Sequence, residues 1–290
     1  MRIAVDVGGT FTDVVLLGDD GDGLRHEKVE TVPADPASGV LSGFEKAHAD
    51  LDRVKFFVHG TTLGINALLT RTGARVAIVT TAGFRDVYEV GRTDREPMYD
   101  FKYRRPSSLV PRRFVFEVEE RMDHRGELLT RFNEQDALAA AQRIRAQGIE
   151  AVAVCFLHSY ANPAHELEME AVLERECPGV SVSLSHRLSR EYREYERLST
   201  AVIDAYVKPI TATYLEALEG NLAGHEFGGH FLLTRSGGGA MTVTAAKSQP
   251  VHLVLSGRRA ASSALPRSAA SLATRTSSLS TWAVPVSTPR

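Results

Sequence analysis

Asp6-Val7-Gly8-Gly9-Thr10-Phe11-Thr12-Asp13 is the stretch on which the reading of this chain turns. A carboxylate ends an apolar run that begins near Arg2, two glycines turn the chain, and hydroxyl residues open the return. Glycine lets backbone N–H groups approach an anion with no Cβ in the way. The Thr10 and Thr12 hydroxyls add hydrogen bonds, and Asp6 or Asp13 can hold Mg²⁺ directly or through water. The plain alternative is a glycine hairpin with two surface carboxylates. An Asp on each side of the turn, and the order of elements around it, favour phosphate binding. Gly8, Gly9, Thr10 and Thr12 are thus expected to contact the ligand, with Asp6 and Asp13 as the catalytic and metal-holding carboxylates.

Working outward, residues 2–7 alternate into a strand and residues 14–17 form a second, stopped by Gly18-Asp19-Asp20-Gly21. Residues 26–32 read as a third, and turns this tight between short strands indicate an antiparallel meander. Asp35-Pro36 opens a helix to about His48, since proline suits the first turn. Residues 54–58 form a strand, 62–69 a helix, and 75–79 another strand ended by Gly83. This order, three strands, helix, strand, helix, strand, is that of a ribonuclease H-like half-domain. The fold class is α/β.

A second signal lies in Val58-His59-Gly60-Thr61-Thr62-Leu63-Gly64-Ile65-Asn66-Ala67. Here a strand ends and a turn opens a helix. Thr61 is a good N-cap, which alone accounts for one threonine. The functional reading sets Gly60, Thr61 and Thr62 at the positive end of that helix, facing an anion. His59 reads either as a core histidine bonded to backbone or as an active-site residue.

Farther on, residues 84–111 are rich in Arg, Pro, Tyr and Asp with no clean period, a long functional or packing loop. The cluster at 99–105 reads as a solvated basic loop or an anion contact. Helix 134–147, buried strand 150–157, helix 163–177 and strand 180–184 follow. Residues 196–222 are mostly helical, with Pro209 marking a kink or break, and 229–233 form another strand. Asn162-Pro163-Ala164-His165-Glu166 reads as a helix start, and residues 191–197 as an ion-paired helix face.

The composition, 43% hydrophobic and 24% charged over 290 residues, is that of a soluble chain able to build a core. A net charge of -2 gives no footprint for nucleic acid or anionic membrane. Cys155 and Cys177 make neither a disulfide framework nor a metal cluster, and Cys155 sits in an apolar run where a buried, inert thiol is expected. Met1-Arg2-Ile3-Ala4-Val5-Asp6 is too short an apolar run for a signal peptide or membrane span, so a cytoplasmic setting is expected.

The two loops resemble those of the hydantoinase/5-oxoprolinase family, in its N-methylhydantoinase A-like branch. So do residues 154–166, the run Glu194-Tyr195-Glu196-Arg197-Leu198-Ser199-Thr200, and Ala205-Tyr206-Val207-Lys208-Pro209. The resemblance covers about residues 1–257. It implies an amino-terminal domain over 1–185, the truncated start of the catalytic domain over 186–257, and an incomplete actin-like ATPase fold. It further implies ATP and Mg²⁺ as cofactors and hydrolysis of a cyclic amide (a hydantoin, 5-oxoproline, or a related lactam or imide) through carbonyl phosphorylation. A hydantoinase B-type partner subunit is implied as well. An ATP-dependent ketone carboxylase subunit shares the same loops, sugar or acyl kinases carry similar Asp-x-Gly-Gly-Thr turns, and an inactive remnant is the remaining alternative. Two departures stand out. Ser236-Gly237-Gly238-Gly239 replaces the usual Ser-Asn-Gly-Gly, and Ser256-Gly257 runs into Arg258-Arg259 instead of Pro-Ala-Gly-Gly.

Residues 258–290 contain no Asp or Glu and hold no helical or strand period, so a non-native, disordered tail is expected. One nucleotide lost near codon 258 would account for it. Arg258-Arg259-Ala260-Ala261-Ser262-Ser263-Ala264 can be encoded by codons that, read one base over, give Pro-Ala-Gly-Gly-Val-Ile-Gly. In the same frame, Ser280-Thr281-Trp282-Ala283-Val284 yields Asp-Met-Gly-Gly.

Overall fold

Two hydrophobic patterns alternate along this chain, half-buried strands and fully apolar ones, and each builds its own sheet. The computed structural model describes residues 1–19, 23–32, 35–92, 99, 102–103 and 106–256. In chain order these form β1 (Arg2–Val7), β2 (Phe11–Leu17), β3 (Arg25–Glu30), α1 (Pro36–Lys46), β4 (Phe56–Thr61), α2 (Leu63–Thr70), β5 (Val76–Thr81) and α3 (Val87–Val90). Next come β6 (Val115–Val118), β7 (Arg121–Met122), β8 (Leu128–Thr130), α4 (Glu134–Ala146), β9 (Ala151–Cys155), α5 (Ala164–Glu176) and β10 (Ser181–Leu184). The described chain ends with α6 (Ser185–Leu188), α7 (Glu194–Gly224), β11 (His230–Thr234), β12 (Ala240–Thr242) and α8 (Val243–Ser248). The expected disordered tail, 258–290, and part of the 99–105 cluster lie outside the described residues.

The first unit comprises Met1–Leu63, Tyr214–Ala246 and the chain from His252. Its sheet has the order β12-β11-β4-β1-β2-β3. β1, β2 and β3 are the expected antiparallel meander, while β4 and β11 run parallel to β1. Alternation decides which face is covered. Ile3, Val5, Val7, Val14 and Leu16 are buried with Val40 and Phe44 of α1, and Phe44 meets Phe57 edge-on with ring centroids 5.3 Å apart. Burying each large side chain of this set contributes roughly 1.5–3 kcal/mol. α1 starts where expected: Asp35 Oδ1 accepts the Ser38 N–H at 3.2 Å and Pro36 fills the first turn.

The second unit comprises Gly64–Thr213 and Lys247–Val251. It holds a parallel sheet of order β10-β9-β5-β6 and the β7–β8 hairpin. Every residue of β5 and β9 is buried, the signature of a parallel strand covered on both faces. α4 is capped by Asn133, whose Oδ1 accepts from Gln135 N at 3.0 Å and Asp136 N at 3.2 Å.

Two local expectations need correction. The strand near 75–79, placed by its order in the ribonuclease H-like half-sheet, is β5 of the second sheet, and the half-sheet is continued instead by β11. An apolar strand carries no mark of the sheet it joins. Of the kink or break expected at Pro209, the break does not occur: the residue lies inside the continuous α7. A proline costs an interior helix one backbone hydrogen bond, which packing of the rest can offset. Gly73 shows how close that packing is within the second unit, since a Cβ there would lie 2.2 Å from the Tyr206 ring.

Candidate functional site

Because β1, β4 and β11 are parallel, their carboxyl ends lie along one edge of the first sheet, the edge where open α/β sheets bind ligands. Two glycine-bearing loops leave there, Gly8-Gly9-Thr10 and Ser236-Gly237-Gly238-Gly239, beside Gly60-Thr61, the last two residues of β4, and Thr62. The first loop and the β4 end were expected. The second loop was noticed in the sequence only for its missing Asn, although a glycine run directly after a strand was the available signal.

Each loop is fixed by its own bonds. Gly8 N–H donates to Phe11 O at 3.0 Å, closing the β1–β2 turn. A Cβ on Gly8 would sit 2.9 Å from that carbonyl, so glycine is needed for space. The Thr31 hydroxyl donates to Gly8 O at 3.0 Å and lies 3.0 Å from Thr12 Oγ1. Thr12 is fully buried, so its hydroxyl shapes the turn from within, whereas Gly9 and Thr10 are exposed. Beyond β4 both the N–H and the hydroxyl of Thr62 donate to Val7 O, at 3.0 and 3.1 Å, tying β4's end to β1's. Thr61 Oγ1 accepts Leu63 N–H at 3.1 Å, the capping role anticipated for it. The Ser256 hydroxyl donates to Thr61 O at 3.2 Å. In the second loop Gly238 and Gly239 take φ of 97° and 79°, values open to glycine without strain.

Strand register lines up the charged residues. Asp6 is paired with Asp13 on one side and Gly60 on the other, and Asp13 is paired in turn with Lys28. Directly opposed residues share a face, so Lys28, Asp13, Asp6 and Gly60 form one row across four strands. Asp13 Oδ1 lies 3.2 Å from His26 Nε2 and 3.6 Å from Lys28 Nζ. Asp6 Oδ1 is buried with no hydrogen-bond partner. Burial first, and the Asp13 charge second, push the Asp6 carboxyl up to about 7.

An unpartnered buried carboxylate oxygen beside a second carboxylate and a glycine without a side chain is a donor set that suits Mg²⁺. That ion is held by one or two carboxylates plus phosphate oxygens and water, not by an all-protein cage. No group of three or more His, Cys, Asp or Glu placed to hold a metal occurs among the described residues. Asp6 would hold the ion and Asp13 would stand behind it, and the ion would neutralise phosphate charge.

His59 is a core residue. It is fully buried, its Nε2 lies 2.8 Å from the Tyr214 hydroxyl, and Phe57 and Phe231 pack around it. Burial holds its pKa down at about 4, and its Nδ1 is buried with no hydrogen-bond partner. The sign of the consequence follows. The unfolded imidazole binds a proton near its ordinary value and the folded one does not, so this stability is present above that value and lost as pH falls through it. Between pH 7 and 4.5 the parent is expected to lose about 2 kcal/mol more than a His59→Phe variant. Urea denaturation at the two pH values measures it, and parallel losses would refute it.

Cys155 is buried and free, and burial lifts its thiol to about 11, in keeping with an inert core residue. Among the described residues no helix is long and apolar enough to cross a membrane.

With this geometry in place, the comparisons with known proteins are specific. Residues 2–177 match the hydantoinase/oxoprolinase N-terminal region and residues 197–274 match hydantoinase/oxoprolinase. The chain is 32% identical to the acetophenone carboxylase gamma subunit of Aromatoleum aromaticum over 83% of its own length and 36% of that protein's. It is 31% identical to caprolactamase subunit alpha of Pseudomonas jessenii over 75% of its length and 33% of that subunit's. The crystal structure of the ATP-dependent caprolactamase from Pseudomonas jessenii superposes with a TM-score of 0.80 at 28% identity, over 89% of this chain and 38% of that one. The chain thus spans about a third of the length of the curated relatives it matches. It belongs to the hydantoinase/oxoprolinase family.

Proposed function

We propose that the first unit binds Mg²⁺·ATP at the row ending in Asp6 and Gly60, and that the chain serves an ATP-dependent hydrolase of cyclic amides. The observation that carries this reading is the orphaned, buried Asp6 Oδ1 at the carboxyl end of β1, between Asp13 and Gly60 and beside exposed Gly9 and Thr10. The chemistry is sensible on its own terms. An unstrained amide carbonyl is a poor electrophile. Once its oxygen has taken a phosphoryl group from ATP, water attacks the carbon and the ring opens with loss of phosphate. The protein's task is positioning and charge neutralisation. Exposed Gly9 and Thr10 supply the rim, while buried Thr12 and Thr61, with Thr62, hold the two strand ends in register. A hydantoinase B-type partner subunit would complete the enzyme in the cytoplasm.

A second reading, ATP-dependent ketone carboxylation, is supported by the similarity to the acetophenone carboxylase gamma subunit. Phosphate release measured with hydantoins, 5-oxoproline, lactams, and ketones plus bicarbonate, each with a B-type partner, separates the two readings.

Nucleotide binding itself is tested by Gly9→Val. Gly9 is exposed, so the added side chain leaves the core intact and fills the space a phosphate needs. ATP affinity is expected to fall about a hundredfold, the scale of a lost oxyanion donor, while the thermal midpoint stays near the parent's. Unchanged affinity in the folded variant would remove the site.

A further inference from the structure

The proposed site has an electrostatic difficulty. Asp6 and Asp13 face the same side of the sheet on adjacent strands, about 5 Å apart along the ladder. A polyphosphate approaching them meets two negative charges. Something on the protein must offset one of them, and the row itself supplies it. Lys28 is directly opposite Asp13 on β3, with Nζ 3.6 Å from Asp13 Oδ1, and His26 Nε2 reaches the same oxygen at 3.2 Å. The Lys28 ammonium also lies 5.1 Å from the Phe11 ring centroid, over the residue next to Thr10. Its stem is thus held along the loop that carries the expected phosphate contacts, and its side chain is 43% exposed.

We propose that Lys28, assisted by His26, is a positioning residue: it neutralises and steers Asp13, leaving Asp6 as the open carboxylate and admitting an anionic phosphate beside it. The proposal rests on the nucleotide reading above and assigns Lys28 a role that a purely structural ion pair would lack. It makes two effects of opposite sign. Towards a bare divalent cation, Lys28 is a competitor for the carboxylates. Towards a nucleotide, it is a source of attraction.

The test uses the full 290-residue chain and two probes, Mn²⁺ alone followed by paramagnetic resonance, and Mg²⁺·ATP followed by calorimetry. Lys28→Met is expected to bind Mn²⁺ about threefold to fivefold more tightly and ATP about fivefold more weakly, shifts of the size an exposed charge pair produces. Lys28→Arg keeps the charge and should restore both affinities to near the parent's. A thermal melt of each variant checks that the sheet is intact. Affinities that both stay unchanged, or both fall together, would overturn the proposal. A parent chain that binds Mn²⁺ but no nucleotide would sink the nucleotide reading, and the Mn²⁺ arm would still decide the role of Lys28. Tighter Mn²⁺ binding by Lys28→Met supports the clamp on Asp13, and unchanged binding refutes it.

Discussion

At pH 8, Asp6→Asn is expected to be more stable than the parent by about 2–4 kcal/mol and to bind Mg²⁺·ATP at least tenfold more weakly. The two effects have one cause. Asp6 is pushed up to about 7 by burial and by Asp13, so the folded chain must hold its carboxylate ionised at a cost above that pH. The folded pKa is raised above the unfolded one, so the penalty is absent below the ordinary carboxylate value and grows as pH rises through the folded value. The upper end of the range is the full shift at 1.36 kcal/mol per unit, and the lower end discounts it for the partial exposure of Asp6. Asparagine keeps the shape and removes the charge. Denaturation of both proteins at pH 4.5 and pH 8 should show the gap opening with pH. A variant equally stable at both, or less stable at pH 8, would mean that Asp6 is not under electrostatic strain. Sites that trade stability for a poised charge are a common mark of function.

How much of this was legible beforehand depends on where each signal is stored. The Asp6–Asp13 turn, the Asp35 opening of α1 and the start of α4 at 134 are local, carried by residues that bond within a few positions, and the structure places them as read. Strand β5 was found but set in the wrong sheet. Val76–Thr81 is apolar throughout, and its partners β6 and β9 lie tens of residues away, so no local period reports the choice. The same distance hides β11, which joins β4 after the whole second unit has intervened. At the site, the carboxylates and glycines were visible because their chemistry is unusual in strands. Lys28 and Thr31 were not, because a lysine or threonine on or beside an exposed strand is ordinary until register pairs Lys28 with Asp13 and the Thr31 hydroxyl reaches Gly8 O and Thr12 Oγ1. Residues 191–197 are in part the ion-paired face expected of them, with Arg193 Nη1 3.9 Å from Glu196 Oε1. Glu196 also pairs with Arg92, with Oε1 2.9 Å from Nε, but Arg197 is buried. A charged side chain one residue along from a surface pair gives no sequence sign that it points inward.

That buried arginine carries the largest expected loss of stability. Arg197 is 1% exposed in the second unit, and its guanidinium donates in three directions: Nε to Ser185 Oγ at 3.0 Å, Nη1 to Glu191 O at 2.8 Å and Nη2 to Phe156 O at 2.6 Å. The Ser185 hydroxyl passes the contact on, donating to Glu166 Oε1 at 2.6 Å. That oxygen also accepts Phe156 N–H at 3.1 Å, and Glu166 Oε2 accepts His186 N–H at 3.1 Å and lies 2.6 Å from His186 Nδ1. The network joins the end of β9, the start of α5, α6 and the start of α7 through one cation and one anion, both out of water. Arg197→Met fills the volume but strands the buried Phe156 carbonyl and removes the charged donor to Ser185, leaving Glu166 with His186 and the Ser185 hydroxyl as its partners. The expected cost is about 2–4 kcal/mol, the scale of losing charge-assisted hydrogen bonds and leaving a buried acceptor unmade. Arg197→Lys should also lose much of this, since a single ammonium cannot span the three directions of a planar fork. Glu166→Gln in the Arg197→Met background should cost less than it does alone. That coupling, above about 1 kcal/mol in a double-mutant cycle, separates a shared network from two independent defects. Denaturant unfolding of the four proteins is the measurement. An Arg197→Met chain within about 1 kcal/mol of the parent would show that the guanidinium's bonds are replaced by water, and that the carboxyl end of the second sheet is far more open than its burial indicates.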